Sequence, residues 1–220
     1  MQLPTLEFRD MGDLAYSAIR DAIVTAQFAP GSKLSQDELA RQLGVSRAPV
    51  RDALNRLEAE GFVRTAAKGM VVAELTAEEL ADIFEVRALI DSFATRKACE
   101  RLGEVELCKL EEIVEKTAQL TDGGDIYELV QAHGDFHEVI YASCGNAELM
   151  KIARSIWDRS YRYRVTGLLD EVTALSSLEE HRAILQAIRL RDAKRAQELM
   201  AEHNHGTASR VVQQVRATAS

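Results

Sequence analysis

The sequence predicts a mainly α-helical protein in two parts, with a small mixed domain first and an all-α antiparallel bundle of about six helices second. Helix signals between Ser35 and Gly61, followed directly by two short β-prone runs, predict the first part. From Thr76 onward the chain reads as helix after helix, with glycines at the breaks, and this predicts the second part. The expected domains are therefore 8–74 and 75–220.

The first domain is expected to begin with a helix from Asp10 or Asp13 to about Phe28. A turn at 29–31 and a short strand at 33–34 follow it. The apolar residues of this helix recur on one face, namely Leu14, Ala18, Ile19, Ala22 and Ile23.

Two short helices then meet at a tight turn. Ser35 and Glu38 form a capping-box pattern that opens the first of them, and Gly44 suits its C-terminus. Ser46 is expected to cap the second helix, whose first turn tolerates Pro49. The buried stripe of the second helix is Val50, Ala53, Leu54 and Leu57, and its polar face is Ser46, Arg47, Arg51, Asn55 and Arg56. Cationic groups near the start of the second helix are typical of helices that read the major groove.

A β-hairpin is predicted after this pair of helices. Residues 62–65 and 70–73 are β-prone, and the connection 66–69 is basic and contains glycine. Together with the two helices, the hairpin predicts a winged helix-turn-helix. The alternative is a small helical subdomain with an unrelated surface hairpin, which is disfavoured because caps, charges and hairpin agree.

The net charge of −8 is divided unevenly along the chain. Residues 1–74 carry 9 Lys+Arg against 10 Asp+Glu, and the remainder carries 18 against 25. The acidity therefore belongs mainly to the second domain, which need not face DNA. Because the first domain is not strongly basic, its DNA affinity is expected to depend on dimerisation and specific contacts.

Composition limits the class of protein further. A hydrophobic content of 46% suffices for two cores, and no apolar run is long enough to span a membrane. With no signal-peptide pattern at the N-terminus, we expect a soluble cytoplasmic protein without a membrane partner. Cys99, Cys108 and Cys144 show no Cys-x-x-Cys pairing and are expected to be reduced thiols.

Six helices are expected in the second domain. Thr76 with Glu79 is a capping box for the first, and Ser177 with Glu180 marks the fifth. The expected ranges are 76–101, 104–121, 125–143, 147–166, 177–190 and 192–216.

All five histidines lie in this second domain. His133 and His137 are four residues apart and share one helix face, while His181 and His203 lie on two other helices. Neutral imidazoles from three helices can surround one divalent metal ion. Spacing alone leaves open the alternative that each is a hydrogen-bonded core or surface histidine. His205 is expected to face solvent.

Residues 44–54 (Gly-Val-Ser-Arg-Ala-Pro-Val-Arg-Asp-Ala-Leu) and 57–63 (Leu-Glu-Ala-Glu-Gly-Phe-Val) resemble the signature of GntR-family bacterial transcription regulators. The resemblance implies contacts of the second helix with phosphates and bases, and entry of the wing-tip glycine into the minor groove. The candidate DNA-binding residues are Ser35, Ser46, Arg47, Arg51, Lys68 and Gly69.

Two residues depart from the family pattern. Asp37 stands where the family often has arginine, and Lys68 stands for a common wing histidine. A carboxylate at Asp37 would repel a phosphate, so this contact is expected to be lost.

Residues 76–205 resemble the ligand-binding domain of the FadR-type subfamily, through Phe136-His137, Ser143-x-Gly145-Asn146, Glu180-His181 and Met200-x-x-His203. The resemblance implies a zinc- or nickel-like ion held by His137, His181 and His203. The family's aspartate ligand is His133 here, so four imidazoles are expected as metal ligands. Such a softer site favours zinc, nickel or copper over manganese.

The same resemblance implies that a small organic acid is the effector. Arg87 matches a family arginine that can clamp a carboxylate, although an ion pair with Glu85, Asp91 or another acidic neighbour is an equal alternative. Asn146 is placed either at the pocket edge or at a helix cap. The aromatic and basic run 157–164 could resemble a nucleic-acid stacking surface, but a pocket wall is favoured. The candidate ligand-binding residues are Arg87, Asn146, Arg162 and Arg164.

These observations predict a ligand-responsive transcription regulator, expected to be a repressor, that binds a pseudo-palindromic double-stranded operator as a homodimer. One alternative is a DNA-binding dimer without a ligand, in which the histidines are structural. A metal-dependent enzyme acting on a carboxylate is disfavoured, because no His-Glu-x-x-His, Gly-x-Ser-x-Gly or phosphate-loop motif is present.

Overall fold

The computed structural model describes residues 11–67, 69–167 and 171–218. These residues form nine helices and three short strands, and the chain divides into two compact units at the Glu74–Leu75 junction. The first unit contains α1 (Met11–Val24), β1 (Lys33–Leu34), α2 (Gln36–Leu43), α3 (Arg47–Ala59), β2 (Val63–Ala66) and β3 (Gly69–Val72). The predicted fold class, a winged helix-turn-helix followed by a helical bundle, is confirmed.

The first unit is built around α3, against which α1, α2 and β2 pack. The helix α1 ends at Val24, before the expected Phe28, because Ala26 adopts a φ of 59° that interrupts the helix. The core of this unit is formed by side chains from every element, including Ile19, Ile23, Leu34, Leu39, Val50, Leu54, Leu57, Phe62 and Val72.

The turn between α2 and α3 follows the predicted pattern, with one difference at its caps. The Ser35 hydroxyl accepts a hydrogen bond from the backbone N–H of Glu38 at 3.4 Å, and Gly44 takes a φ of 66° at the end of α2. Ser46 occupies the N-cap position of α3 with extended backbone, but its side chain makes no capping hydrogen bond. The prediction of a side-chain cap at Ser46 was therefore wrong.

The wing is a three-stranded antiparallel sheet in the order β1-β3-β2. Gly69 pairs with Ala66 and opens β3, so it lies in the strand rather than in the connection where it was expected. The Glu58 carboxylate of α3 accepts hydrogen bonds from the backbone N–H and the hydroxyl of Thr65, at 2.9 and 2.7 Å. These two bonds fix the wing against α3.

The second unit is an all-helical bundle. Its helices are α4 (Ala77–Cys99), α5 (Glu104–Thr121), α6 (Ile126–Ser143), α7 (Ala147–Gly167), α8 (Glu171–Arg189) and α9 (Ala193–Thr218). The capping box of Thr76 and Glu79 is present in both directions. The fifth bundle helix begins at Glu171 rather than at Ser177, which is buried inside α8. Burial of Ala174 beside Leu129 and Val130 accounts for this earlier start.

The helix α4 lies against α6, α7 and α9, and α8 packs on α5 and α9. This arrangement places α4 against the histidine-bearing helices α6 and α9, and α8 against α9. The three cysteines are free thiols, as predicted. No helix in the described ranges combines the length and apolar character needed to cross a bilayer.

Candidate metal centre and DNA-binding surface

Three histidines from three helices meet in the core of the bundle. His137 of α6, His181 of α8 and His203 of α9 are buried, and one ring nitrogen of each lies within 4.8 Å of the others. Two nitrogens bound to one tetrahedral zinc ion, each at about 2.0–2.1 Å, are roughly 3.4 Å apart. Small side-chain movements would therefore bring these three nitrogens onto one ion, so the residues fit a metal.

The fourth predicted ligand, His133, lies beside this group. It is fully buried, and its ring centroid is 4.7 Å from that of His181. The three converging nitrogens belong to His137, His181 and His203, and His133 is outside that group. The structure thus brings all four predicted histidines together, with His133 at the edge of the cluster.

Glu180 holds one histidine of the cluster in position. Its Oε2 atom lies 2.6 Å from Nδ1 of His203, and both of its oxygens accept hydrogen bonds from Arg210 at 3.1 Å. Burial would raise the pKa of Glu180, but the hydrogen bonds from His203 and Arg210 outweigh it and lower the pKa to about 2. The ionised carboxylate keeps the proton on Nδ1 of His203, which leaves Nε2 as the nitrogen available to a metal. Sequence analysis missed this role, although Glu180 directly precedes His181.

Aromatic side chains orient the other two imidazoles. The Phe136 ring stacks on His181 at 4.2 Å with an interplanar angle of 12°, and Trp157 lies 4.8 Å from His137. Gly134 allows the close approach of α6 and α7, since a Cβ at this position would lie 3.2 Å from Trp157 Cζ2. Aromatic rings therefore pack against both of these imidazoles.

A buried polar network adjoins the histidines on the α4 side. Arg87 Nη2 donates to Asp91 Oδ2 at 2.9 Å, and both side chains are buried. Asp91 also accepts hydrogen bonds from the Tyr141 hydroxyl at 2.7 Å and from Asn204 Nδ2 at 3.1 Å. His137 Nδ1 lies 3.7 Å from the same Asp91 Oδ2. Of the two alternatives for Arg87, the structure shows the ion pair, with Asp91 as its partner.

The ion pair does not use all of the polar atoms in this network. Arg87 Nε and Nη1 and Asn204 Oδ1 are buried without a hydrogen-bond partner among the described residues. The Arg87 guanidinium lies over the Trp157 ring, 4.5 Å from its centroid. Buried polar atoms of this kind usually have a protein, water or ligand partner.

The other predicted ligand-binding residues are Asn146, Arg162 and Arg164, and only the side chain of Asn146 belongs to the described residues. Asn146 is exposed, and its side-chain oxygen caps α7 by accepting from the Leu149 N–H at 3.1 Å. This is the capping alternative, so the structure gives no support to a place for Asn146 at the pocket. The side chains of Arg162 and Arg164 lie outside the described residues.

The candidate DNA-binding surface is the exposed start of α3. Ser46, Arg47 and Arg51 are all exposed there, and Ser35 is exposed at the start of α2. Arg47 forms an ion pair with Asp37 of α2, in which the two side chains keep 73% and 56% of their exposure. Asp37, which departs from the family pattern, therefore pairs its carboxylate with Arg47, one of the predicted phosphate-binding arginines.

Arg56, at the far end of α3, has a structural position. Its guanidinium stacks over the Tyr16 ring at 3.8 Å and donates to Glu60 and Asp13, both at 3.1 Å. Burial and the 2.5 Å hydrogen bond to Glu60 raise the pKa of Tyr16 to about 12. These contacts join α1 to α3. They give Arg56, which was predicted to lie on the polar face of α3, a structural role.

At the wing, Gly69 is exposed with a φ of 111°, a conformation that favours glycine. A Cβ at Gly69 would lie 3.8 Å from Cε of Lys33, an exposed residue of β1 that sequence analysis did not select. Only strand pairing reveals this proximity, because the two residues are distant in sequence. The predicted contact Lys68 lies outside the described residues.

Comparison with known proteins identifies the family. Residues 13–72 match the family model "Bacterial regulatory proteins, gntR family", and residues 82–206 match the FCD domain. The Nta operon transcriptional regulator of Aminobacter aminovorans is 36% identical over 162 residues, which cover 72% of this chain and 74% of that protein. The transcriptional repressor GlaR of Escherichia coli is 29% identical, over 86% of this chain and 90% of its own length.

The solved structure of E. coli McbR/YncC has the same fold. It superposes with a TM-score of 0.81 at 23% identity, covering 94% of this chain and 99% of that one. These relatives are named as transcription regulators rather than as enzymes. With the winged helix-turn-helix and the helical bundle both matched, the chain belongs to the GntR family of DNA-binding transcription regulators and carries an FCD domain.

Proposed function

We propose that this GntR-family regulator is a repressor whose operator binding is controlled by a small organic acid bound at a metal centre in its FCD domain. The observation that carries the proposal is the convergence of three buried imidazoles, each from a different helix, beside a buried arginine. The relative GlaR is a transcriptional repressor, which supports the repressor role. Effector binding would shift the protein between states of different DNA affinity, a coupling typically worth about 1–3 kcal/mol.

His137, His181 and His203 would hold the metal, with His133 as a further candidate ligand beside them. An all-imidazole donor set favours zinc or nickel, and protein ligands alone leave coordination sites open for an acid. The metal would act as a Lewis acid toward the carboxylate of the effector. Arg87 would bind the same ligand through the N–H groups that Asp91 leaves unused.

The metal is tested by comparing two histidines of the same domain. His137→Ala should lose stoichiometric zinc binding and the effector response while it keeps basal DNA binding. His205→Ala changes an exposed histidine on α9 and should bind zinc normally. If chelators leave the melting temperature of the full-length protein unchanged and no acid binds, the result would instead support the alternative in which the histidines are structural. Turnover of a bound acid would support the enzyme alternative.

DNA binding is tested at the start of α3. The purified protein first selects its operator from a random duplex library. Arg51→Ala should then abolish binding to that operator, because it removes an exposed cation from the predicted recognition surface. Arg182→Ala removes the same charge from an exposed position on α8 and should bind normally. An unchanged gel shift with Arg51→Ala would contradict the assignment.

We further propose that two copies of the chain pair through α4. Val86, Leu89 and Phe93 form an exposed apolar ridge on this helix, at a spacing of three and four residues. Exposed apolar patches of this kind mark interaction sites. Beside the ridge is a cleft of about 250 Å³ lined by Glu79, Asp82, Ile83, Val86, Ile156 and Arg159.

The charges of this cleft suit a second copy of the chain. Its lining carries two carboxylates and one guanidinium, and Arg159 Nε is buried without a hydrogen-bond partner in the described part of the chain. A two-fold interface brings the same patch of both copies together, so each Arg159 could meet the partner's carboxylates.

The oligomeric state decides this proposal. Leu89→Glu should convert a dimer into a monomer, as measured by light scattering after size-exclusion chromatography. Leu190→Glu is a matched control, because Leu190, in the turn directly after α8, has the same 69% exposure as Leu89. A dimer that survives Leu89→Glu would place the interface elsewhere.

A further inference from the structure

The positive charge that the first unit leaves unpaired lies on its sheet. Among the described residues of this unit, most cations have a carboxylate within ion-pair distance, namely Arg20, Arg41, Arg47, Arg51 and Arg56. The other two described cations, Lys33 of β1 and Arg64 of β2, are exposed and have no carboxylate partner within the described ranges. Both can therefore bind an outside anion without first breaking an ion pair.

Strand register places Lys33 and Arg64 on the same face of the sheet. Each lies directly opposite Val71 of the central strand β3, one from either side. Directly paired side chains share a face, and neighbouring strands are about 4.8 Å apart, so roughly 10 Å separates the two backbones. The adjacent residues Leu34 and Val63 point to the opposite face and are buried. The exposed face of the sheet therefore carries two cations with a valine between them.

This exposed face adjoins the candidate DNA-binding surface. The Lys33 side chain runs toward the wing tip, because its Cε lies 3.8 Å from the position of a Cβ on Gly69. Arg64 directly precedes Thr65, whose backbone N–H and hydroxyl both donate to Glu58 of α3. The two cations are therefore next to the glycine of the wing and on a strand that is bonded to α3.

We propose that Lys33 and Arg64 form a phosphate clamp, with which the exposed face of the sheet binds the DNA backbone beside the wing tip. Lysine and arginine contacts to phosphates position a protein on the duplex without reading its sequence. Two long side chains that start roughly 10 Å apart can each meet a different phosphate. In contrast, Arg47 of α3 must leave Asp37 before it can bind DNA.

The clamp explains how a domain with little net charge can hold DNA. Residues 1–74 carry 9 basic against 10 acidic side chains, so the domain as a whole does not attract a polyanion. Because the paired arginines are offset locally, the attraction is concentrated where cations are unpaired. The sheet face then supplies affinity for any duplex, while the start of α3 supplies the preference for an operator.

The salt dependence of DNA binding tests the proposal on the full-length protein. Fluorescence anisotropy measures the affinity of Lys33→Gln and Arg64→Gln for the selected operator at several salt concentrations. Each substitution should reduce the slope of log K against log salt by about 0.9 for every copy of the chain on the operator, and weaken binding several-fold at about 0.1 M salt. Lys33→Arg keeps the charge and should keep the slope. Lys116→Gln changes an exposed lysine of α5 in the second unit and should behave like the unchanged protein.

A duplex of scrambled sequence separates a phosphate contact from a base contact. Both duplexes should lose affinity by the same factor, because the phosphates are common to them. A loss confined to the operator would show that these residues read bases and would refute the clamp. Unchanged affinity and slope for Lys33→Gln and Arg64→Gln would also overturn it. Each charge is tested separately, so if one variant does not fold, the other decides.

Discussion

Replacing Glu180 with glutamine should weaken metal binding without removing any metal ligand. The carboxylate of Glu180 lies 2.6 Å from His203 Nδ1 and is itself held by Arg210. A glutamine can still contact Nδ1, but it carries no charge to stabilise a metal-bound imidazole. Carboxylates that support metal-binding histidines are typically worth 10- to 100-fold in metal affinity.

The geometry places the expected effect near the lower end of that range. The side chain of His203 is completely buried, but that of Glu180 keeps 26% of its exposure, so solvent screens part of its charge. We therefore expect a loss of roughly tenfold in zinc affinity, or about 1.4 kcal/mol.

Competition with a chromophoric chelator would measure this loss on the purified full-length protein. Glu179→Gln provides a matched control, because Glu179 is exposed and pairs with Arg182 outside the cluster. The control should bind zinc like the unchanged protein. Equal zinc affinity of Glu180→Gln and the unchanged protein would refute the reasoning that His203 binds metal through Nε2.

Three further predictions concern other parts of the molecule. Asp37→Ala should tighten operator binding a few-fold at low salt, as measured by fluorescence anisotropy. The exposed ion pair between Asp37 and Arg47 is weak, and without it the arginine can bind a phosphate. The pKa of Tyr16 is raised to about 12, so the stability that the protonated phenol contributes is complete below about pH 10 and is lost as pH rises through 12. Between these pH values, the free energy of unfolding should therefore fall less for Tyr16→Phe than for the unchanged protein. Gly134→Ala should lower the free energy of unfolding by about 1–3 kcal/mol in urea titrations, because the added methyl crowds Trp157.

Each of these has a discriminating comparison. Asp21→Ala removes an exposed carboxylate from α1 and should leave DNA affinity closer to the original value than Asp37→Ala does. Identical loss of stability between pH 10 and 12 in Tyr16→Phe and the unchanged protein would contradict the raised pKa. Unchanged unfolding of Gly134→Ala would mean that moving Trp157 costs no more than the roughly 0.5–1 kcal/mol that alanine gains over glycine inside a helix.

Local patterns in the sequence were sufficient for most helices and for the class of each domain. The glycine at 44 and the capping box at Thr76 act through neighbouring residues, and both predictions were confirmed. Of the capping box predicted for Ser35 and Glu38, the structure gives only the bond from the Glu38 N–H to the Ser35 hydroxyl. The start of the fifth bundle helix was not predictable in this way. Ser177 and Glu180 have capping spacing, but tertiary burial of Ala174 extends the helix upstream, and Arg210 binds both residues.

The sequence by itself also determined the residue types of the candidate metal centre, because His133 and His137 share a helix face and the family motifs include His181 and His203. Only the tertiary structure decided which groups surround them. Asp91 of α4 meets Asn204 of α9, and Glu180 of α8 meets His203 of α9, only because α4 and α8 both pack on α9. Helix periodicity reports which face of one helix is buried, but it carries no information about which buried side chains meet across helices. The candidate ligands could therefore be selected from the sequence, while the network that would position them and select the effector could not.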